Sequence, residues 1–148
     1  MNIHEILDKL AQNKGTQELL KTLQTSSAKN IFMEGVVASG PAFLASSIFS
    51  KLQKPILAIL PNAEEALSFK TDIENILAGE SVNWIPDSFI KPLKISNTHA
   101  HKIQERIEAL NILGKSKARI HVTYSAALME WVAKKEDVDQ QDMEFHRG

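Results

Sequence analysis

The sequence predicts an α/β fold built on an open, mostly parallel sheet with helices on both faces. Three observations carry that expectation. Short apolar runs alternate with segments of helical periodicity, which is the rhythm of repeated strand–helix units. Pro55 to Leu60 (Pro-Ile-Leu-Ala-Ile-Leu) is a near-continuous apolar run, the pattern of a strand covered on both faces. Turn and cap residues (Pro61-Asn62, Pro86-Asp87, Gly114) fall at the junctions between the runs.

Taken in order, Ile3, Ile6, Leu7 and Leu10 are spaced as one face of a short helix, which Asn13-Lys14-Gly15 is expected to end. A second short helix around Gln17 to Leu23 sets Leu19, Leu20 and Leu23 on one side, and Thr25-Ser26-Ser27 is a loop. Asn30 to Glu34 is an apolar run suited to a buried strand. Pro41 to Leu52 follows as a helix, with Pro41 tolerated at its first position. After the strand at 55–60, Asn62 caps a helix from Ala63 to about Leu77. Ser81 to Ile85 is a third strand, and Ser88 to Asn97 an irregular connection. Thr98 to Leu113 is a helix with Ile103, Ile107, Leu110 and Leu113 toward the core. Arg119 to Thr123 is a fourth strand, and Ser125 opens a helix through Val132. Lys134 to Asp142 is charged and turn-like, Met143 to His146 hints at another strand, and the chain then stops at Arg147-Gly148. That ending reads as a fragment cut where another domain begins.

Composition narrows the function classes. A chain of 148 residues, 43% hydrophobic and 24% charged, can bury an ordinary core as one domain. A formal net charge of -1 supplies no global basic field for nucleic acid. The absence of cysteine excludes disulfides, thiolate zinc sites and thiol nucleophiles. Glu5 and Asp8 interrupt the N-terminus, so there is no signal-peptide pattern, and no run reaches the length of a membrane span. The expected location is cytoplasmic.

The informative stretch is Gly35-Val36-Val37-Ala38-Ser39-Gly40-Pro41-Ala42, between an expected strand and an expected helix. A phosphate-binding loop there would read Gly, four residues, Gly, Lys, then Ser or Thr. Gly35 and Gly40 hold the glycine positions, but Pro41 replaces the Lys and Ala42 the Ser/Thr. Pro41 brings no cation to the β- and γ-phosphates and removes a backbone donor. Ala42 brings no hydroxyl for magnesium. No acidic magnesium box compensates, since Asp72-Ile73-Glu74 lies inside a helix and Glu136-Asp137 in the tail. The loop reads as a degenerate P-loop with no catalytic residue, cofactor or metal.

A family resemblance rests on several stretches in order. Phe32 to Phe43 resembles the first motif of the excinuclease B component, a helicase, with its Lys and Thr replaced. Lys54 to Asn62 resembles that protein's next strand and motif, ending in the same Pro-Asn. Trp84-Ile85-Pro86-Asp87-Ser88-Phe89 resembles the Leu-Pro-Tyr-Asp-Ser-Phe-like segment of bacterial transcription-repair coupling factors, here without the Tyr. Glu105-Arg106-Ile107-Glu108-Ala109-Leu110 is similar to their Arg-Leu-x-x-Leu helix, and Ile120 to Met129 to their strand and Leu-Met helix. Order and spacing hold from about Lys29 to Val132.

The resemblance implies a RecA-like, P-loop helicase-type half-domain. In the family this is the N-terminal domain of a transcription-repair coupling factor, which imitates the excinuclease B component. It divides the chain into an N-terminal helical segment (1–28), the degenerate helicase-like domain (29–133), and a linker with the start of the next domain (134–148). It further implies a non-catalytic scaffold within an ATP-dependent DNA translocase. That parent protein displaces RNA polymerase stalled at lesions and recruits nucleotide excision repair through the excinuclease A component. This partner would bind mainly the following domain, beginning near Met143. RNA polymerase and DNA would bind downstream domains, and the present domain would contact other parts of the parent. The alternative is a nucleotide- or nucleic-acid-binding domain with an atypical phosphate loop.

Other candidates have plainer explanations. His99 and His101 sit two apart at a helix start, where ligands sharing a face sit three or four apart, so solvated or capping roles fit better. Trp84 and Trp131 suit core or domain packing more than base stacking. Ser125 lacks a nucleophile-elbow context, so a helix cap explains it better than pairing with His121. Lys91, Lys94 and Lys102 read as a solvated stretch, with Phe89 as its anchor.

Overall fold

The computed structural model describes residues 3–25, 30–78, 82–88, 98–114 and 119–130. Among the described residues, six helices and three strands follow in the order α1 (Ile3–Gln12), α2 (Lys14–Gln24), α3 (Gly40–Leu52), β1 (Ile56–Leu60), α4 (Ala63–Ile76), β2 (Asn83–Trp84), α5 (Thr98–Leu113), β3 (Ile120–Tyr124) and α6 (Ser125–Leu128). The strands form an open parallel sheet in the order β1-β3-β2, with Ile56 opposite Ile120 and Trp84 opposite Val122. The α/β class with a parallel sheet is therefore as expected.

Side-chain alternation assigns the two faces. Ile56, Ala58, Leu60, Val82, Trp84, Ile120, Val122 and Tyr124 point one way, into a core with Ala42 and Phe49 of α3 and Ala66, Ile73 and Ile76 of α4. Asn83, His121 and Thr123 point the other way, toward α5, where Asn83 Nδ2 donates to Ala109 O at 2.9 Å. The connection β1–α4–β2 steps over β3, and β2–α5–β3 steps back. Right-handed crossovers in opposite directions must place their helices on opposite faces, as they do here.

Capping fixes where α4 begins. Asn62 Oδ1 accepts the Glu65 N–H at 2.9 Å, and Asn62 Nδ2 donates to Glu65 Oε1 at 2.7 Å. Asn62→Ala is expected to lower stability by about 1 kcal/mol, measured as a shift in the urea midpoint. A loss indistinguishable from zero would mean water caps this end equally well.

Several elements depart from the sequence reading. Asn30–Glu34 forms neither helix nor strand and joins no ladder among the described residues; an apolar run becomes a strand only where a neighbour can take its main-chain groups. Gly15 does not end α1. Asn13 does, and its side chain caps α2 by accepting the Gly15 N–H at 2.9 Å, so Gly15 lies inside α2. β1 is not covered on both faces, because α5 lies over β2 and β3 and leaves Leu57 and Ile59 exposed. The core face of α5 is rotated: Arg106 and Ala109 are buried, whereas Ile103, Ile107 and Leu113 are exposed and Leu110 is half-buried. Arg106 sets that rotation by reaching inward to main-chain carbonyls. Helix α6 ends at Leu128, short of Val132, which lies outside the described residues, as do Lys91, Lys94, Phe89, Trp131, Glu136-Asp137, and the tail from Lys134 through Met143 to His146. Among the described residues no helix is long and apolar enough to cross a membrane.

Candidate functional site

The loop from Gly35 to Ala42 enters α3 through two left-handed residues, Gly35 (φ 78°) and Ala38 (φ 51°). Gly35 meets that conformation without strain, and a Cβ there would touch nothing within 4 Å. Gly40 sits in a tight place instead: a Cβ would lie 3.0 Å from Val36 Cγ1, so the Val36 side chain would have to give way. Ser39 is the N-cap but makes no side-chain capping bond, and Pro41 occupies the first turn.

A phosphate bound here would need free N–H groups at this helix end. Gly40 N–H already donates to Val37 O at 2.9 Å, and Phe43 N–H to Ser39 O at 3.1 Å. Pro41 has none to give. Ala42 is 1% exposed and packs into the core, so its methyl group faces protein rather than a ligand.

Beside the loop lies a cavity of about 840 Å³ between α1, α2, the 31–37 segment and α3. Its wall is largely apolar, with Leu10, Leu19, Met33, Val36 and Phe43. Among the described residues, the charged side chains that line it are Glu18 and Glu34, both carboxylates. The field beside the loop therefore disfavours an anion.

A second constellation gathers where the strands end. Arg106 of α5 donates through Nη1 to Pro86 O and through Nη2 to Ala127 O at 2.9 Å, and its Nε lies 3.0 Å from Glu130 Oε2. Glu130 in turn accepts the Ser88 N–H and hydroxyl, both at 2.8 Å. Tyr124 Oη accepts the Asp87 N–H at 3.1 Å, and the Tyr124 ring stacks on Trp84 with centroids 5.6 Å apart. Burial, ahead of contacts with Asp87 and Glu130, raises the Tyr124 pKa above its ordinary 10.0. The Trp84–Ser88 stretch, the α5 arginine and the end of α6, separate in the sequence, thus meet in one network. Its groups satisfy one another, so it works as a clamp on the loop after β2 rather than as exposed chemistry.

His121 and Ser125 are not brought together. His121 is 3% exposed on the α5 side, with Nδ1 2.9 Å from Asn83 Nδ2. That amide nitrogen has only hydrogens to give, so Nδ1 accepts and the ring is neutral. Burial, and secondarily the Arg119 charge, lowers its pKa below 6.5. Ser125 is the first residue of α6 rather than its cap, which is Tyr124, and its hydroxyl donates to Pro61 O at 2.6 Å. His101 is exposed, and no cluster of metal-binding side chains occurs among the described residues.

The His121 shift has a signed consequence. The unfolded chain binds this proton more readily than the folded one, so the stability is fully present above pH 6.5 and is lost as pH falls toward the lower folded-state pKa. His121→Gln is expected to flatten the pH dependence of the urea midpoint just below pH 6.5. An unchanged slope would assign that dependence to other groups.

Sequence reasoning missed Arg106 as a buried anchor because a charged residue on a helix is ordinarily solvated. The available signal was that the resembling motif places an Arg at that point of the helix. No family model, curated protein or solved structure matches this chain.

Proposed function

We propose that this chain is a non-catalytic scaffold domain of the transcription-repair coupling factor type, a RecA-like half-domain that keeps the shape of a helicase and has shed its nucleotide chemistry. The reading is supported above all by the start of α3. The Lys and Ser/Thr positions of a phosphate loop hold Pro41 and Ala42, and the neighbouring Gly40 and Phe43 N–H groups are bonded within the protein. In this reading the parent protein carries ATP hydrolysis and DNA translocation in downstream motors. It recruits nucleotide excision repair through the excinuclease A component, held mainly by the following domain. The present domain contacts other parts of the parent.

Isothermal titration with ATP and magnesium tests the proposal. No heat of binding is expected through millimolar nucleotide, and capture of the excinuclease A component should require a chain extended through the following domain. Micromolar ATP affinity would overturn the scaffold reading in favour of an atypical nucleotide site. Equal capture by the short and extended chains would move the partner surface into this domain.

A further inference from the structure

Strand β1 is a sheet edge whose outer main-chain groups have no neighbouring strand among the described residues. Ile56 N–H donates to Arg119 O at 3.0 Å, toward β3, and β1 ends the strand order. Alternate residues of a parallel strand bond to the same neighbour, so the N–H and C=O groups of Leu57 and Ile59 point to the open side. No charge, proline or bulge within Ile-Leu-Ala-Ile-Leu guards that edge. The Leu57 and Ile59 side chains are 47% and 54% exposed.

The chain also contains the converse feature. Asn-Ile-Phe-Met-Glu at 30–34 is mostly apolar yet lies outside every described helix and ladder, and Phe32 is 85% exposed. Topology relates the two. Helix α3 packs on the α4 side of the sheet, since Ala42 and Phe49 share a core with Ile56, Ala58 and Ile73. The unit β1–α4–β2 advances from β1 toward β3 and β2 with its helix on that face. A right-handed unit comprising the 30–34 segment, α3 and β1, with its helix on the same face, must advance in the same direction. The incoming strand then belongs before β1, on the open edge. Residues 30–60 also match a βαβ unit in length, about 30 residues.

We propose that Asn30–Glu34 closes onto the free edge of β1 as a fourth parallel strand. Alternation then sets Phe32 beside Leu57 and Ile59 on one face and turns Ile31 and Met33 toward α3. Three exposed apolar side chains become mutual contacts, and the outward groups of Leu57 and Ile59 gain partners. The left-handed residues Gly35 and Ala38 lie between the strap and α3, where a change of direction must occur.

The cysteine-free sequence makes the test direct. The pairs Phe32→Cys/Ile59→Cys and Phe32→Cys/Leu57→Cys cover two registers, and all three positions are exposed, so little packing is lost. Phe32→Cys with Glu108→Cys, on exposed α5 surface, sets the level of random collision. After mild oxidation, one register should give an intrachain disulfide in most molecules and the control pair should not. In the unsubstituted protein, the Leu57 and Ile59 amides should exchange at least about tenfold more slowly than in Met33→Pro, which lacks an N–H that would face β1 in either register. Three outcomes overturn the proposal. Neither register forms an intrachain bond above the control, bonds form only between chains (assigning the edge to a second copy), or the two amides exchange equally fast in both proteins.

Discussion

Arg106→Ala is expected to destabilise the fold by about 3–5 kcal/mol, the range found when one partner of a buried ion pair is removed. The guanidinium joins three segments, through Pro86 O after β2, Ala127 O in α6 and Glu130 beyond it. Its side chain is 7% exposed and that of Glu130 19%, so solvent screens the pair weakly. Truncation strands two buried carbonyls and takes the cation from a carboxylate that also receives two bonds from Ser88. Arg106→Lys should recover only part of the loss, because an ammonium cannot reproduce a planar fork spread over three acceptors. Urea unfolding followed by circular dichroism measures both variants. A loss below about 1 kcal/mol for Arg106→Ala would show the network to be an ornament on a fold held elsewhere.

The second large effect lies in the apolar core. Ile73 of α4 has no exposed surface and sits against the sheet with Phe49 and Val122. Ile73→Ala should remove about 2–5 kcal/mol, combining lost transfer free energy with the cavity left behind, while Ile73→Val should remove about 0.5–1.5 kcal/mol. The same unfolding experiment distinguishes the two by midpoint. Equal losses would mean that α4 shifts to refill the space.

How far the sequence was legible depends on the range over which each signal acts. Asn62 announced the start of α4 because a cap is a contact between residues three apart. Gly114 and Pro61 marked boundaries for similarly local reasons. Thr98–Leu113 was found at its full extent, yet its inward face was misassigned. Periodicity favoured Ile103 and Ile107, whereas Arg106 won the interior by bonding to carbonyls 20 and 21 residues away along the chain. Asn30–Glu34 is the converse case, with no strand assigned to it among the described residues. Its composition suits a strand, but composition cannot supply the neighbour that a strand requires.

The candidate loop divides in the same way. That Pro41 and Ala42 carry neither cation nor hydroxyl is covalent fact, fixed by residue identity alone. That the adjacent Gly40 N–H is bonded to Val37 O, and that Glu18 of α2 and Glu34 line one cavity, depends on how the chain returns on itself. By itself the sequence determined the α/β class, most helix boundaries and the lack of a cation or hydroxyl at positions 41 and 42, because these follow from local propensity and side-chain chemistry. Only the tertiary structure decided the strand order, the open edge of β1 and the burial of Arg106. Those outcomes are set by contacts between residues far apart in the chain, which no local window contains.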